Sequence, residues 1–295
     1  MPSTQRDLVA FFGLAFALAW AVFLAAAWVA DVAGLSGAVE LIARAEALDF
    51  EGYRDRLPVP PWAVYLATRI ADFAFTLAAL AVLLVREGGA GVRRLLARLL
   101  PTRRAARVLG VGLLPLAFYA LAAAWVVATG AVEPRFDVSA AAFAAALVSP
   151  EAGILFAFFL RGAMGEEPGL RGFALVRLEP SLGAVRASLV IGLLWFAWHV
   201  PVLLERAPVE IAAFGVLSVL LSFVMTWLFQ RGGGCLLPPM LFHAAQNSEE
   251  VVERLVPSLV GTDWEMASTL ALAVFALGVT VAVVHGERQR AALRP

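Results

Sequence analysis

From Leu8 to Ala30 the chain carries no charged side chain. A helix that crosses the ~30 Å hydrocarbon core of a bilayer needs about 20 mostly apolar residues, and this run supplies them. It is too long for the apolar region of a cleaved signal peptide, about 7–15 residues, so it reads as a retained first span. Further stretches that meet or nearly meet the same requirement are 62–85, 108–130, 140–164, 184–204, 209–229, 235–256 and 267–285. The expected fold is all-α: a polytopic membrane protein of about eight transmembrane helices. With no repeat and no room for a soluble domain, residues 1–295 read as a single membrane domain. Composition agrees: 61% of residues are hydrophobic and 16% charged, where soluble domains carry about 25% charged residues.

Two spans are irregular. In the fourth, Ser149-Pro150-Glu151 has the order of an N-cap, a first-turn proline and an acid at the positive end of the helix dipole. A short outer segment near 140–148 is therefore expected, followed by a long helix from 150 to about 178. The seventh is the weakest, because Pro238-Pro239 interrupts its start and Glu249, Glu250 and Glu253 follow. Irregular backbone at membrane depth is tolerated only where protein or water satisfies it.

The 86–107 connection carries Arg86, Arg93, Arg94, Arg98, Arg103, Arg104 and Arg107 against Glu87 alone, whereas acids outnumber arginines in 31–60. The positive-inside rule places 86–107 in the cytoplasm. Counting spans outward from there, 165–186, 230–234 and both termini fall on the cytoplasmic side, and the acid-rich 247–266 connection falls outside. The expected location is the cell membrane, multi-pass, with the lipid bilayer as the surrounding partner.

Several function classes drop out. Formal net charge is zero, so no basic field points to nucleic acid. Every basic residue other than histidine is Arg; the absence of Lys removes a Ser–Lys dyad, a Schiff-base lysine and a Walker A loop. Cys235 is the only cysteine, so an intrachain disulfide is excluded.

Charged groups inside a bilayer are costly and usually functional. They concentrate in Gly165-Glu166-Glu167-Pro168-Gly169-Leu170-Arg171-Gly172, around His199 in Trp195-Phe196-Ala197-Trp198-His199, and in His243-Ala244-Ala245-Gln246-Asn247. At about 1.5 Å of rise per residue, Glu166 lies roughly 17 Å from Arg177, His199 roughly 20 Å from Arg186 and His243 roughly 18 Å from Arg231. Three spans thus bring ionisable side chains to one depth near the middle of the core. A carboxylate and two imidazoles can activate a water, either as a general-base pair or as metal ligands. Glu167 and Arg171, four apart, can pair and remove the cost of a lone buried charge, although Pro168 between them can kink the helix. His243 and Asn247 share a face and both can donate to a developing oxyanion. Gly165, Gly169 and Gly172 let neighbouring helices approach closely.

Each residue alone has a plainer reading. The two glutamates can be a solvated helix end, and His199, flanked by Trp195 and Trp198, can sit in an aromatic belt. Taken together at one depth, the three favour a site. His285, beside Gly286-Glu287-Arg288, reads as an interfacial residue. Arg69 and Asp72 read as a structural pair near the outer surface, Ser36 as turn chemistry, and Arg161 as a lone charge lining the same cavity. No His-Glu-x-x-His, no Gly-x-Gly-Asp and no Tyr-Asp occurs, so zincin and aspartyl-dyad chemistries lack their settings.

The order Glu-Glu-x-x-x-Arg, a His on the next span and His-x-x-x-Asn two spans further resembles the CPBP family, the CAAX proteases and bacteriocin-processing enzymes also labelled abortive-infection proteins. The resemblance covers about 150–250, and it implies peptide-bond hydrolysis by a water activated within the membrane. On it, Glu166 is the water-activating base assisted by His199, Glu167 and Arg171 are a supporting ion pair, and His243 and Asn247 stabilise the oxyanion. The family is labelled metalloprotease, and a metal-free glutamate mechanism is an equal alternative. If Zn2+ is bound, His199 and His243 are its candidate ligands with Glu166. The family's second motif often reads Phe-x-x-x-His; here Trp195 holds the aromatic position.

The resemblance implies a peptide or membrane-protein substrate, drawn from prenylated C-terminal peptides, bacteriocin leaders or membrane segments. Two alternatives stand beside the endopeptidase. One is a non-catalytic membrane scaffold, immunity or regulatory protein on the same fold. The other is a transporter with the polar cluster as its solute or proton site, which the absence of an internal repeat disfavours.

Overall fold

The computed structural model describes residues 3–47, 49–133, 135–137, 139–148, 154–160 and 162–292, and every regular element among them is helical. Helix α1 (Ser3–Ala33) buries Phe11, Ala15, Ala19, Phe23, Ala26 and Ala30, while Leu24 and Trp28 stay well exposed on the opposite side. The spacing of three and four places the buried set on one stripe. Apolar residues on the other side are what a lipid-facing surface requires. Helix α2 (Ala38–Ala47) is short and buries Ala38, Leu41 and Ala45 against α1 and the next helix.

The expected span 62–85 divides into α3 (Pro61–Asp72) and α4 (Ala74–Ala97), with Phe73 leaving helical geometry at φ −89°, ψ 4°. Helix α4 runs past the expected end, bending at Gly88, so part of the arginine-rich connection is helical. Helices α5 (Arg103–Val108) and α6 (Leu114–Ala128) follow, the first capped by Thr102 Oγ1, which accepts from Ala105 N at 2.9 Å. Helix α7 (Ala140–Val148) is the short segment expected there. Ser149-Pro150-Glu151 and Arg161 lie outside the described residues.

The long helix expected from 150 to 178 is broken. It consists of α8 (Ile154–Phe159), α9 (Ala163–Glu167) and a π-helical run, Pro168–Leu175, that leads into α10 (Val176–Leu203). Gly162, at φ +69°, separates α8 from α9. Then come α11 (Pro208–Arg231), α12 (Leu237–Gln246), α13 (Glu250–Leu255) and α14 (Trp264–Ala292).

Six helical stretches among the described residues are long and apolar enough to cross a membrane: Thr4–Ala33, Ala74–Ala97, Arg103–Ala128, Leu155–Leu203, Pro208–Arg231 and Trp264–Gln289. The expectation of eight exceeds this for identifiable reasons. Leu155–Leu203 counts once but doubles over: in one straight helix Glu166 and Trp195 would be about 43 Å apart, yet their side chains are hydrogen-bonded. The expected span 235–256 folds instead as the short helices α12 and α13. Pro238 and Pro239 fall in the first turn of α12, where missing N–H groups cost nothing, and Met240, Phe242, Ala244 and Ala245 are fully enclosed by protein. A helix surrounded by protein need not reach across the bilayer.

The core forms where α1, α4, the π-helical run and α10 meet. Phe11 lies 4.8 Å from Phe173 and Phe75 lies 5.3 Å from Trp198, centroid to centroid. Backbones touch at Gly165 and Gly169. A Cβ at Gly165 would fall 2.2 Å from the Asp72 carbonyl oxygen, and one at Gly169 would fall 2.5 Å from that of Phe75. The four-residue small-residue step is what lets α9 lie directly on α4. Leu236 N donates to the Arg98 carbonyl at 2.8 Å and Thr102 Oγ1 to the Gly232 carbonyl at 2.9 Å, which pins the approach to α12.

Candidate active site

Glu166 sits in the first turns of α9, immediately after the break at Gly162, and its N–H donates to the Gly162 carbonyl at 2.7 Å. It is 5% exposed. Its Oε2 accepts a hydrogen bond from Trp195 Nε1 of α10. Glu167, the next residue, points elsewhere and is fully buried: Arg171 Nη1 donates to its Oε1 at 2.9 Å, and His243 Nδ1 of α12 lies 2.9 Å from the same oxygen. Adjacent residues on a helix are turned about 100° apart, so one glutamate faces the cavity while the other faces the bundle interior. The solvated-end reading of these two residues does not hold.

His199 lies one helical turn beyond Trp195, and its Nδ1 is 2.9 Å from the Trp195 carbonyl. A carbonyl can only accept, so Nδ1 carries the proton and Nε2 of the neutral ring is free to accept. Its ring meets Trp198 and Phe214 edge-on at 4.6 and 5.0 Å. On α12, His243 Nδ1 faces Glu167, which leaves Nε2 for the cavity. Asn247 closes the last turn, its N–H bonded to the His243 carbonyl at 3.0 Å.

Glu166, His199, His243 and Asn247 line one cavity of about 370 Å³, walled by apolar side chains of α1, α2, α10 and α11 and reaching the exposed Arg206. Glu167 and Arg171 stand behind it. Of the six residues singled out in the sequence, four therefore share the cavity and two support it. Gly162 brings two of these nitrogens together: a Cβ there would lie 2.7 Å from Asn247 Nδ2 and 2.9 Å from His243 Nε2. Both nitrogens thus stand side by side against Gly162, where glycine adopts the positive φ and has no Cβ to push them apart. The plainer reading of Arg69 and Asp72 as a pair holds, at 3.0 Å, although Asp72 also reaches the cavity wall.

Two contributors escape a reading along the chain. Trp195 registers there as an aromatic packing position, yet its indole N–H holds Glu166; its place four residues before His199 was the available signal. Gly162 carries no signal, since its role depends on α12. A zinc ion held by Glu166, His199 and His243 would need three converging donors. Among the described residues no group of three or more His, Cys, Asp or Glu side chains is placed to hold a metal ion, so the residues present do not form that set.

The helical bundle thus encloses a carboxylate, two imidazoles and an amide in one cavity with mostly apolar walls. Residues 147–248 match the family described as Type II CAAX prenyl endopeptidase Rce1-like. This is the CPBP family, and the matched segment holds all six residues and the helices α8 to α12 that carry them. No curated protein matches the chain.

Proposed function

We propose that this protein is an intramembrane endopeptidase in which Glu166 activates water and His243 and Asn247 hold the oxyanion. The observation that carries the reading is that Asn247 Nδ2 and His243 Nε2 stand side by side against Gly162, in the cavity that Glu166 also lines. Glu166 takes a proton from water as the water oxygen attacks the peptide carbonyl carbon. The carbonyl oxygen becomes an oxyanion and receives hydrogen bonds from Asn247 Nδ2 and from Nε2 of a protonated His243. The tetrahedral intermediate collapses by breaking the C–N bond, and the proton held by Glu166 passes to the leaving amine. His199, with Nε2 free, assists the same transfers. Glu167 orients His243, and Arg171 neutralises Glu167 in the dry interior. No step is routed through a metal ion.

The substrate is a peptide or membrane-protein segment, since apolar side chains make most of the cavity wall. With the arginine-rich 86–107 connection and both termini in the cytoplasm, the cavity opens at the opposite end of α10, toward Arg206. An Arg206→Cys protein should then react with an impermeant thiol reagent added outside intact cells, against little background from Cys235, which is buried. Reaction only after the membrane is opened would reverse this orientation.

Purified protein in vesicles should cleave membrane-peptide substrates, and Glu166→Gln should lower turnover about 10²- to 10⁴-fold while folding normally. Activity should survive chelation. A Glu166→Gln protein with wild-type turnover would remove the reading; retained cellular function in that variant with no cleavage by either form would favour the scaffold instead.

A further inference from the structure

We propose that Trp195 is a positioning residue of this site, fixing the orientation of Glu166 through its indole N–H; the proposal rests on the reading of Glu166 as the base. Trp195 is 4% exposed, and an indole N–H is a donor with no acceptor role. Its direction is set by the ring, and the ring is held on several sides. Arg171 Cζ lies 5.5 Å from its centroid and the His243 ring 5.4 Å away, edge-on. The Trp195 carbonyl accepts a hydrogen bond from His199 Nδ1 at 2.9 Å. One residue therefore touches Glu166 of α9, Arg171 of the π-helical run, His199 of its own helix α10 and His243 of α12.

The consequence for Glu166 is specific. A glutamate side chain has three rotatable bonds and, on a wall of a cavity, no reason to keep one orientation. Donation from Trp195 Nε1 anchors Oε2, which fixes the direction in which Oε1 meets the water whose proton it takes. The contact is intramolecular and independent of substrate, so it acts on turnover rather than on substrate binding. A phenylalanine in the same place keeps the ring contacts with Arg171 and His243 but cannot donate. If Trp195 served packing alone, that exchange would leave turnover nearly unchanged.

The test compares three proteins in one vesicle cleavage assay: Glu166→Gln, Trp195→Phe, and a protein carrying at 195 the tryptophan isostere whose ring N–H is replaced by sulfur. The isostere preserves shape, which separates the hydrogen bond from packing if the phenylalanine protein folds poorly. Removing a hydrogen bond to a charged group should lower kcat about 10- to 100-fold in the isostere, with KM and the unfolding temperature near wild type. Wild-type kcat in the isostere, with Glu166→Gln inactive, would overturn the role of Trp195 alone. So would an isostere whose loss lies entirely in KM. Wild-type turnover in Glu166→Gln would remove the underlying reading and this proposal with it.

Discussion

Two arginine–carboxylate pairs, Arg69 with Asp72 and Glu167 with Arg171, are spaced three and four residues apart on helices and look alike along the chain. In space they part company. The Glu167–Arg171 pair, at 2.9 Å, has both side chains fully enclosed, and Glu167 also faces His243, whose other nitrogen reaches the cavity. The Arg69–Asp72 pair, at 3.0 Å, keeps 10% and 20% of its side chains exposed. Arg69 further bonds Glu46 of α2 and the Leu160 carbonyl beside α8, both at 2.9 Å. One pair is tied to His243, and the other, although Asp72 borders the cavity, holds α2, α3 and the Leu160 carbonyl together. The third partner decides the role, and no pairwise spacing reveals it.

The sharpest separation should come from Glu167→Ala. It strands the Arg171 charge in a dry interior, at a cost of about 3–5 kcal/mol from a total stability typically of about 5–15 kcal/mol. Unfolding in detergent would measure it. Replacing both partners by apolar residues of similar size, as in Glu167→Leu with Arg171→Met, should recover much of that stability while cleavage stays impaired, since His243 has lost the oxygen it faces. A single variant as stable as the parent would erase the contrast between the pairs.

Next in size is Asn247→Ala. Removing the amide that stands beside His243 Nε2 should reduce kcat about 10²- to 10³-fold, or about 2.7–4 kcal/mol, with thermal unfolding little changed. Full turnover would show that the convergence of the two nitrogens has no catalytic meaning. The smallest effect belongs to Arg69→Ala. Its ties are partly solvated, so stability should fall by about 1–3 kcal/mol, and turnover per folded molecule should persist. A loss of turnover approaching that of Asn247→Ala would move Arg69 and Asp72 from the frame into the site.

How far the chain could be read without coordinates differs by element. Glu167 and Arg171 were legible as a pair because helical geometry sets a four-residue relation locally, and the π-helical run after Pro168 did not break it. Span 8–30 was legible because its apolarity is uninterrupted. Span 235–256 was misread: its hydrophobicity is that of a helix buried in protein, which composition does not distinguish from one buried in lipid. The division of 62–85 at Phe73 carried no Pro or Gly to announce it. It lies where Gly165 of a helix some ninety residues away rests on the Asp72 carbonyl.

Residue order alone settles that the chain is helical, that it belongs in a membrane, and that two glutamates, two histidines and an asparagine sit where charge is costly. Those conclusions follow from the period of the α-helix and the price of polar groups in hydrocarbon, both of which act within a turn or a span. Which glutamate faces the cavity, which nitrogen of each histidine is free, that an indole N–H grips Glu166 and that Gly162 leaves room for two donors were decided by packing. Each of those facts depends on helices far apart in sequence arriving at one place, and close-packed interiors set such arrivals only when the whole bundle is assembled.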